Sequence, residues 1–318
     1  MFEQLSLELL QSMGASKVFK ENTRPINAID FDDQGGFTLT SSDDESMRIY
    51  NANSGKLQNT VYSKKYGCSL GRFTHRSNNI LHCSTKNDDS IRYMSFHDNK
   101  YLSYFKAHTD KVLSLEVSPL DDTFVSSSLD KTVRFWDLNT PNCAGFINTD
   151  SAINPLVAFD PSAQVLALGT GNTTIRMYSM KNYGQGPFLS QLLEDTLVAV
   201  PPQWTRLQFS NDGKYILIST NSNVLYLVDA YDAVIVHRLM GHSNPLNIPL
   251  EGCFTPDAKY VMCGSSDGKI HLWDIKTGQK VHDFVYHKDL PRIVKFSPRT
   301  CLFASSDTNF VYWTAPPK

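Results

Sequence analysis

The sequence predicts an all-β protein in which seven similar four-stranded sheets form a ring. The main observation is a repeat. An apolar residue that closes a short run before a turn recurs every 42 to 50 residues, as Phe31, Phe73, Val117, Phe159, Phe209, Phe254 and Phe296. A bulky residue near the end of a later run recurs with it, as Tyr50, Met94, Trp136, Tyr178, Val228, Trp273 and Trp313. Two positions that keep one period over seven repeats indicate seven copies of one structural unit.

Each repeat contains several short runs with the character of β-strands. The runs are four to seven residues long, are rich in Val, Ile, Phe, Tyr and Thr, and alternate apolar with polar residues. A helix would instead repeat every 3.6 residues. Turns rich in Asp, Pro, Gly, Ser and Asn separate the runs, as chain reversals require. A period of about 40–45 residues with four strands is typical of the blades of a β-propeller.

The two ends of the chain are predicted to close the ring. Only the segment TAPPK follows Trp313, so the last repeat supplies three strands and lacks a fourth. We expect residues 16–22 (SKVFKEN) to pair with the last strand, because this pairing removes an exposed sheet edge. Residues 16–318 then form one propeller. Residues 1–15 form an arm in which Phe2, Leu5, Leu9 and Met13 share one helical face; a short helix that docks, a partner-binding segment and a disordered end all remain open.

The recurrent bulky residue is predicted to fill the gap to the next blade, where burial of an aromatic ring contributes roughly 3–5 kcal/mol. Three repeats also place His, Ser and Asp where they can form a hydrogen-bonded network with the Trp indole. The predicted sets are His108, Ser128, Asp130 and Trp136; His242, Ser265, Asp267 and Trp273; and His287, Ser305, Asp307 and Trp313. Although the residue types match a catalytic triad, their repetition with the blades indicates a structural role.

Composition and spacing exclude several functional classes. The formal net charge is −2, which argues against a general binder of nucleic acid or membrane surfaces. The N-terminus lacks the basic region of a signal peptide, and no stretch reaches 18 apolar residues. Six scattered cysteines without a C-x-x-C pair indicate reduced thiols. No metal-ligand spacing or phosphate-binding loop is present, so we expect no cofactor and no metal.

Basic and aromatic loop residues are candidate binding sites. In the predicted ring, the connections into each first strand and the turns between second and third strands share one face. This face would carry Lys64, Lys65, Tyr66, Lys111 and Arg292. Such residues suit a peptide with acidic or phosphorylated side chains, and they are equally typical of solvated loop tips.

Two connections, residues 194–204 and 243–252, are longer than the repeat needs, and both lead into first strands. Their apolar residues would be unfavourable as a patch in water. We expect them to pack on each other, to bind a partner segment, or to do both. The candidates are Leu197, Val198, Trp204, Leu246 and Ile248.

The chain resembles the WD-repeat family over residues 16–318, which implies a seven-bladed WD-repeat β-propeller. It is more narrowly similar to the small WD-repeat subunit shared by COMPASS histone H3 methyltransferase complexes and the cleavage and polyadenylation factor. The segments that carry this resemblance are SKKYGC (63–68), FTH (73–75), DTFVSSSLDKTVRFWDL (122–138), GPFL (186–189), LQFSNDGKYIL (207–217) and CFTPD (253–257).

The resemblance implies a nuclear, non-catalytic scaffold, which we expect to be a monomeric subunit of a hetero-complex. The near-neutral net charge adds the expectation of no direct contact to nucleic acid. The implied partners are the methyltransferase catalytic subunit, a phosphatase-regulatory subunit of the mRNA 3′-end machinery, and the phosphorylated tail of RNA polymerase II.

Three other functional classes can be compared with the sequence. A substrate receptor of a cullin-type ubiquitin ligase often carries Arg two residues after the Asp of a Trp-Asp pair, but Asn139 and Lys276 occupy those positions here. A generic WD-repeat adaptor is also compatible with the sequence. A propeller enzyme would need convergent acids, a metal set or a nucleophile–base pair on the central channel, and no such set stands out.

Overall fold

The computed structural model describes residues 5–76, 78–149, 154–195, 197–198 and 200–316. It contains seven four-stranded antiparallel sheets, which confirms the predicted seven-bladed propeller. A short helix, α1 (Leu7–Gln11), precedes the strands, and one 3-10 turn (Tyr183–Gln185) lies in the fourth blade. Within the described residues, no helix is long and apolar enough to cross a membrane.

Six blades each consist of four strands that follow one another along the chain. Blade 1 contains β2 (Ile26–Phe31), β3 (Phe37–Ser42), β4 (Ser46–Asn51) and β5 (Lys56–Tyr62). Blade 2 contains β6 (Ser69–Phe73), β7 (Asn79–Cys83), β8 (Ile91–Ser95) and β9 (Lys100–Phe105). Blade 3 contains β10 (Val112–Val117), β11 (Thr123–Ser128), β12 (Thr132–Asp137) and β13 (Thr140–Asn148).

The next three blades repeat this order. Blade 4 contains β14 (Leu156–Phe159), β15 (Val165–Thr170), β16 (Thr174–Ser179) and β17 (Leu189–Leu192). Blade 5 contains β18 (Trp204–Phe209), β19 (Tyr215–Thr220), β20 (Val224–Asp229) and β21 (Ile235–Met240). Blade 6 contains β22 (Cys253–Phe254), β23 (Tyr260–Gly264), β24 (Lys269–Asp274) and β25 (Lys280–Val285).

Blade 7 joins the two ends of the chain. It contains β26 (Ile293–Phe296), β27 (Leu302–Ser306), β28 (Phe310–Thr314) and the N-terminal strand β1 (Gly14–Phe19). Strand β1 pairs antiparallel with β28, so that Phe19 lies opposite Phe310. This confirms the predicted closure, but the strand begins two residues earlier than expected and ends at Phe19 rather than residue 22. Phe19 is the last residue of β1, and its ring packs 4.5 Å from that of Tyr50 in blade 1.

The hydrophobic core consists of seven clusters, one between each pair of neighbouring blades. Each recurrent bulky residue lies in a different cluster and is buried. One expectation was wrong in direction, because these side chains face the preceding blade rather than the next one. Trp136 of blade 3 packs against Phe105 of blade 2, with ring centroids 5.6 Å apart. Phe135, its neighbour on β12, points the opposite way and stacks on Tyr183 of blade 4 at 4.1 Å. Alternation along the strand therefore covers both faces of a blade.

The N-terminal arm packs on the propeller. The Ser6 hydroxyl caps α1 by accepting the Leu9 N–H at 3.2 Å. Leu5, Leu10 and Met13 are buried in the cluster between blades 6 and 7. The buried face therefore uses Leu10 rather than Leu9, which is partly buried, and the predicted face residue Phe2 lies outside the described part of the chain.

Candidate partner-binding face

The two faces of the ring differ in the connections that form them. The top face, as we define it, carries the loops into the first strands and the turns between second and third strands. Main-chain hydrogen bonds join these two kinds of connection, from Asp43 to Pro25 (3.0 Å), Leu129 to Lys111 (3.0 Å) and Ser266 to Ser243 (2.8 Å). The opposite face carries the remaining turns. Candidate residues from different blades therefore share one surface.

Blade 7 brings together all four residues of its predicted network. Trp313 donates its indole N–H to the Ser305 hydroxyl oxygen at 2.8 Å. Ser305 lies 2.7 Å from His287 Nε2, and His287 Nδ1 lies 3.1 Å from Asp307. Ser305 therefore links Trp313 to His287, and the other ring nitrogen of His287 faces Asp307. Burial would raise the pKa of Asp307, but the hydrogen bond from His287 lowers it below its ordinary value.

Blade 3 builds the same network with a different serine. His108 contacts Asp130 through Nδ1 at 2.7 Å and Ser126 through Nε2 at 2.7 Å. Trp136 donates to Ser126 at 2.9 Å. The predicted residue Ser128 instead donates to a main-chain carbonyl in the loop before β10, at 2.7 Å. Burial lowers the pKa of His108, and Asp130 opposes this effect.

The prediction of Ser128 was wrong because the turn between the second and third strands differs in length from blade to blade. The segment from the network serine to the network Trp is two residues longer in blade 3 than in blade 7. The shared Ser-x-Asp spacing therefore does not mark equivalent positions. Counting backwards from the Trp along the paired strands would have found Ser126.

Blade 6 does not form the predicted network. Trp273 donates to a main-chain carbonyl of β21 at 2.8 Å, and His242 donates to a carbonyl of the β19–β20 turn at 3.1 Å. Ser265 accepts a main-chain N–H from the loop before β22, and Asp267 pairs with a lysine at the start of β24 (3.5 Å). Cys263 occupies the position that Ser126 holds in blade 3, so the indole lacks a hydroxyl acceptor there. Burial lowers the pKa of His242 to about 4.

Charged side chains of three first strands and of the loop before β22 meet across the centre of the ring, which the sequence did not reveal. Arg206 forms ion pairs with Glu116 and with Glu251, the latter at 3.5 Å. Arg72 lies 4.0 Å from both carboxylates. Burial would raise the pKa of Glu251, but the charges of Arg206 and Arg72 lower it. These four residues form the central ion cluster, and their charges balance.

Lys111, Trp204 and Arg292 line one cavity of about 440 Å³ on the top face, above the central ion cluster. Arg292 also borders a second cavity of about 400 Å³, together with Leu246 and Ile248. Lys111 and Arg292 form no salt bridge with any carboxylate in the described part of the chain. Two of the predicted basic residues, Lys111 and Arg292, therefore line the same cavity.

The two long loops are anchored at their ends and exposed at their tips. Trp204 is 3% exposed and packs in the core between blades 4 and 5, so it offers a partner little surface. Ile248 packs at the interface of blades 5 and 6. Trp204 and Ile248 therefore belong to two different core clusters, and the two loops do not form one cluster together. Leu197 and Leu246 are each 77% exposed, and Val198 is partly buried.

Lys64, Lys65 and Tyr66 lie in the loop that leads from blade 1 into blade 2. Both lysines are exposed and Tyr66 is partly buried. The Lys65 ammonium is 5.0 Å from the Tyr66 ring centroid, and the Arg92 guanidinium is 3.5 Å from it. Arg92 was not predicted from the sequence, because it lies on β8 and reaches this loop only in the folded ring.

No group of three or more His, Cys, Asp or Glu side chains within the described residues is arranged to hold a metal ion.

Comparison with known proteins places this chain in a family. The description "WD domain, G-beta repeat" matches residues 15–51, 99–137 and 234–274. WD repeat-containing protein 82 of Drosophila melanogaster is 43% identical over 96% of this chain and 95% of its own length. COMPASS component SWD2 of Saccharomyces cerevisiae is 35% identical over 89% and 88%, and Set1 complex component swd2 of Schizosaccharomyces pombe is 37% identical over 85% and 77%. This chain therefore belongs to the WD-repeat family, within the group that includes WD repeat-containing protein 82 and the SWD2 proteins.

Proposed function

We propose that this chain is a non-catalytic, nuclear subunit of a Set1/COMPASS-type histone H3 lysine methyltransferase complex. The observation that carries this proposal is similarity over most of the chain to two proteins named as components of such complexes, at 35% and 37% identity. The similarity spans whole propellers rather than single repeats. The chain would contribute one monomeric propeller to the hetero-complex and contact the catalytic subunit directly.

The top face is the proposed docking surface. Leu246 is 77% exposed at a loop tip, while the base of the loop is held by Asn244, whose side chain bonds to the main chain of Ile248 (2.7 and 3.1 Å). An exposed leucine on a fixed loop binds with little loss of conformational entropy. Burying such a side chain contributes roughly 1.5–3 kcal/mol. The adjoining cavities would accept further side chains of an extended segment.

A scaffold role without catalysis is supported by the hydrogen bonds and ion pairs that already occupy the buried polar side chains. The Ser305 hydroxyl is fully buried and already bonded to both His287 and Trp313, so it has no path to a substrate. The carboxylates of the central ion cluster are paired with arginines inside the ring. Neither set offers an accessible nucleophile or general base.

A second assembly is proposed on the basis of the narrower resemblance. The same propeller would serve the mRNA cleavage and polyadenylation machinery through its phosphatase-regulatory subunit. The basic residues Lys111 and Arg292 at the central cavity would accept acidic or phosphorylated peptides, such as the tail of RNA polymerase II. A role as cullin-ligase receptor finds no comparable support.

Affinity purification from nuclear extract with quantitative mass spectrometry tests the proposal. We expect an H3 lysine methyltransferase subunit to co-purify, and Leu246→Asp to reduce its recovery at least fivefold. Tyr231→Asp is the matched control, because Tyr231 is 93% exposed in a turn of the opposite face. Recovery of a cullin adaptor without any methyltransferase subunit would overturn the assignment. Equal recovery with both variants would remove the Leu246 loop from the docking surface.

A further inference from the structure

Rings and cations alternate along the top rim of blade 2. In order, Lys65, Tyr66, Arg92, Tyr104 and Lys106 form a series in which each cation lies against a ring. The distances from cation to ring centroid are 5.0 Å from Lys65 and 3.5 Å from Arg92 to Tyr66, and 5.1 Å from Arg92 and 5.6 Å from Lys106 to Tyr104. We call this series the blade 2 rim. Its members come from three segments that meet only in the fold.

Arg92 holds the blade 2 rim together from below. Its side chain is 3% exposed, and it donates to the Ser84 hydroxyl at 2.8 Å and to the Asp88 carboxylate at 2.7 Å. These bonds fix the guanidinium between Tyr66 and Tyr104. The rings are therefore positioned before any ligand arrives, which reduces the entropy lost on binding.

The outer surface of the rim is both aromatic and cationic. Tyr104 is 42% exposed. Tyr62, at the end of β5 just before the Lys64–Tyr66 loop, is 56% exposed, with the Lys64 ammonium 5.7 Å from its ring centroid. Lys64, Lys65 and Lys106 are exposed, and none forms a salt bridge within the described part of the chain. Three unneutralised cations beside two exposed rings match the requirements of a single strand: charges for phosphates and ring faces for bases.

We propose that the blade 2 rim, together with Tyr62 and Lys64 at the end of blade 1, binds single-stranded nucleic acid. Tyr62 and Tyr104 would act as stacking surfaces and Lys64, Lys65 and Lys106 as phosphate contacts. This activity goes beyond the proposed scaffold role. It also departs from the expectation, based on the sequence, of no direct nucleic-acid contact. A net charge of −2 gives no long-range attraction, so the interaction is local and weak, on the order of 10⁻⁴–10⁻⁶ M as for nonspecific binders.

A phosphopeptide is the competing occupant, and the geometry favours the nucleic acid. Phosphorylated side chains are best recognised by an arginine fork that faces the ligand. Arg92 is buried and committed to Ser84 and Asp88, so only lysines, which act as point charges, face outward. A phosphopeptide would also leave the exposed parts of the Tyr62 and Tyr104 rings without a contact.

Fluorescence anisotropy with a labelled 12-nucleotide oligouridylate tests the proposal. Three phosphate contacts predict that the logarithm of the association constant falls with the logarithm of salt concentration with a slope of about −2. In Lys64→Ala/Lys65→Ala the slope should become shallower by about 1.4. Tyr104→Ala should weaken binding about 5- to 100-fold, as expected for loss of one stacked base, whereas Tyr104→Phe should bind like the wild type.

The matched control is Lys214→Ala/Lys259→Ala, which removes the same charge from two exposed lysines in turns of the opposite face. It should leave both affinity and salt slope unchanged. The proposal is overturned if no binding is measurable at 50 mM salt, or if the control weakens binding as much as Lys64→Ala/Lys65→Ala. It is also overturned if a phosphoserine peptide binds more tightly than the oligonucleotide and Tyr104→Ala leaves that peptide's affinity unchanged.

Discussion

Two neighbouring serines in blade 7 should differ strongly in the stability that each loses on substitution by alanine. Ser305 and Ser306 are adjacent on β27 and both are fully buried. The Ser305 hydroxyl bonds to His287 at 2.7 Å and to Trp313 at 2.8 Å. The Ser306 hydroxyl has no hydrogen-bond partner within the described residues. Substitution by alanine removes one oxygen in both cases, so the two variants differ mainly in the hydrogen bonds that they lose.

The Ser305→Ala variant should lose about 2–4 kcal/mol of stability. Two hydrogen bonds disappear, each with a net contribution of ~1 kcal/mol, and the buried Trp313 N–H and His287 nitrogen are left without a partner. Ser306→Ala removes an unsatisfied hydroxyl and should change the free energy of unfolding by roughly 0.5 kcal/mol or less, or increase it.

Equilibrium unfolding in urea, followed by tryptophan fluorescence, compares the two free energies directly. Equal losses in the two variants, or a larger loss in Ser306→Ala, would refute the network as the source of stability.

Three further predictions concern packing, pH and closure. Trp136→Ala should reduce the free energy of unfolding by about 3–5 kcal/mol in urea titrations, since a buried ring between blades 2 and 3 is lost; a change under ~1 kcal/mol would contradict its role. Burial lowers the pKa of His82 to about 4 from its ordinary 6.5, so only the unfolded chain gains this proton as the pH falls from 7 to 5, and the protein loses stability. His82→Leu should make the loss between pH 7 and pH 5 smaller by roughly 2 kcal/mol, and an unchanged pH dependence of urea unfolding would disprove this. Deletion of residues 1–19 removes β1 and exposes the edge of β28, so size-exclusion chromatography should show aggregates, whereas deletion of residues 1–4, which retains α1 and β1, should leave a monomer.

The number of blades and their closure could be predicted because packing between blades imposes a period on the sequence. Every blade must fill the gap to its neighbour, so a bulky residue recurs even where Trp is replaced by Tyr50 or Val228. The side chains' direction toward the preceding blade could not be predicted. It depends on the sense in which the ring winds, which a linear pattern does not contain.

The hydrogen-bond networks were predictable only in part. A turn that differs by two residues shifted the apparent serine from Ser126 to Ser128, and a cysteine at position 263 removed the acceptor from blade 6. The central ion cluster was missed for another reason. Its charges lie on three first strands and on the loop before β22, which are far apart in the sequence and meet only when the ring closes. A sequence signal was nevertheless present. Arg72 lies one residue before the recurrent Phe73, and Arg206 lies three residues before the recurrent Phe209. Side chains at these two positions of a first strand face the centre of the ring.

Hydrogen–deuterium exchange of the chain alone and within its purified complex tests the central claim most directly, namely that a rigid ring presents its top face to protein partners. We predict slower exchange in the loop before β22 and in the loop containing residues 109–111, with the strands of all seven blades unchanged. Protection confined to turns of the opposite face, such as the β20–β21 turn around Tyr231, would contradict the claim.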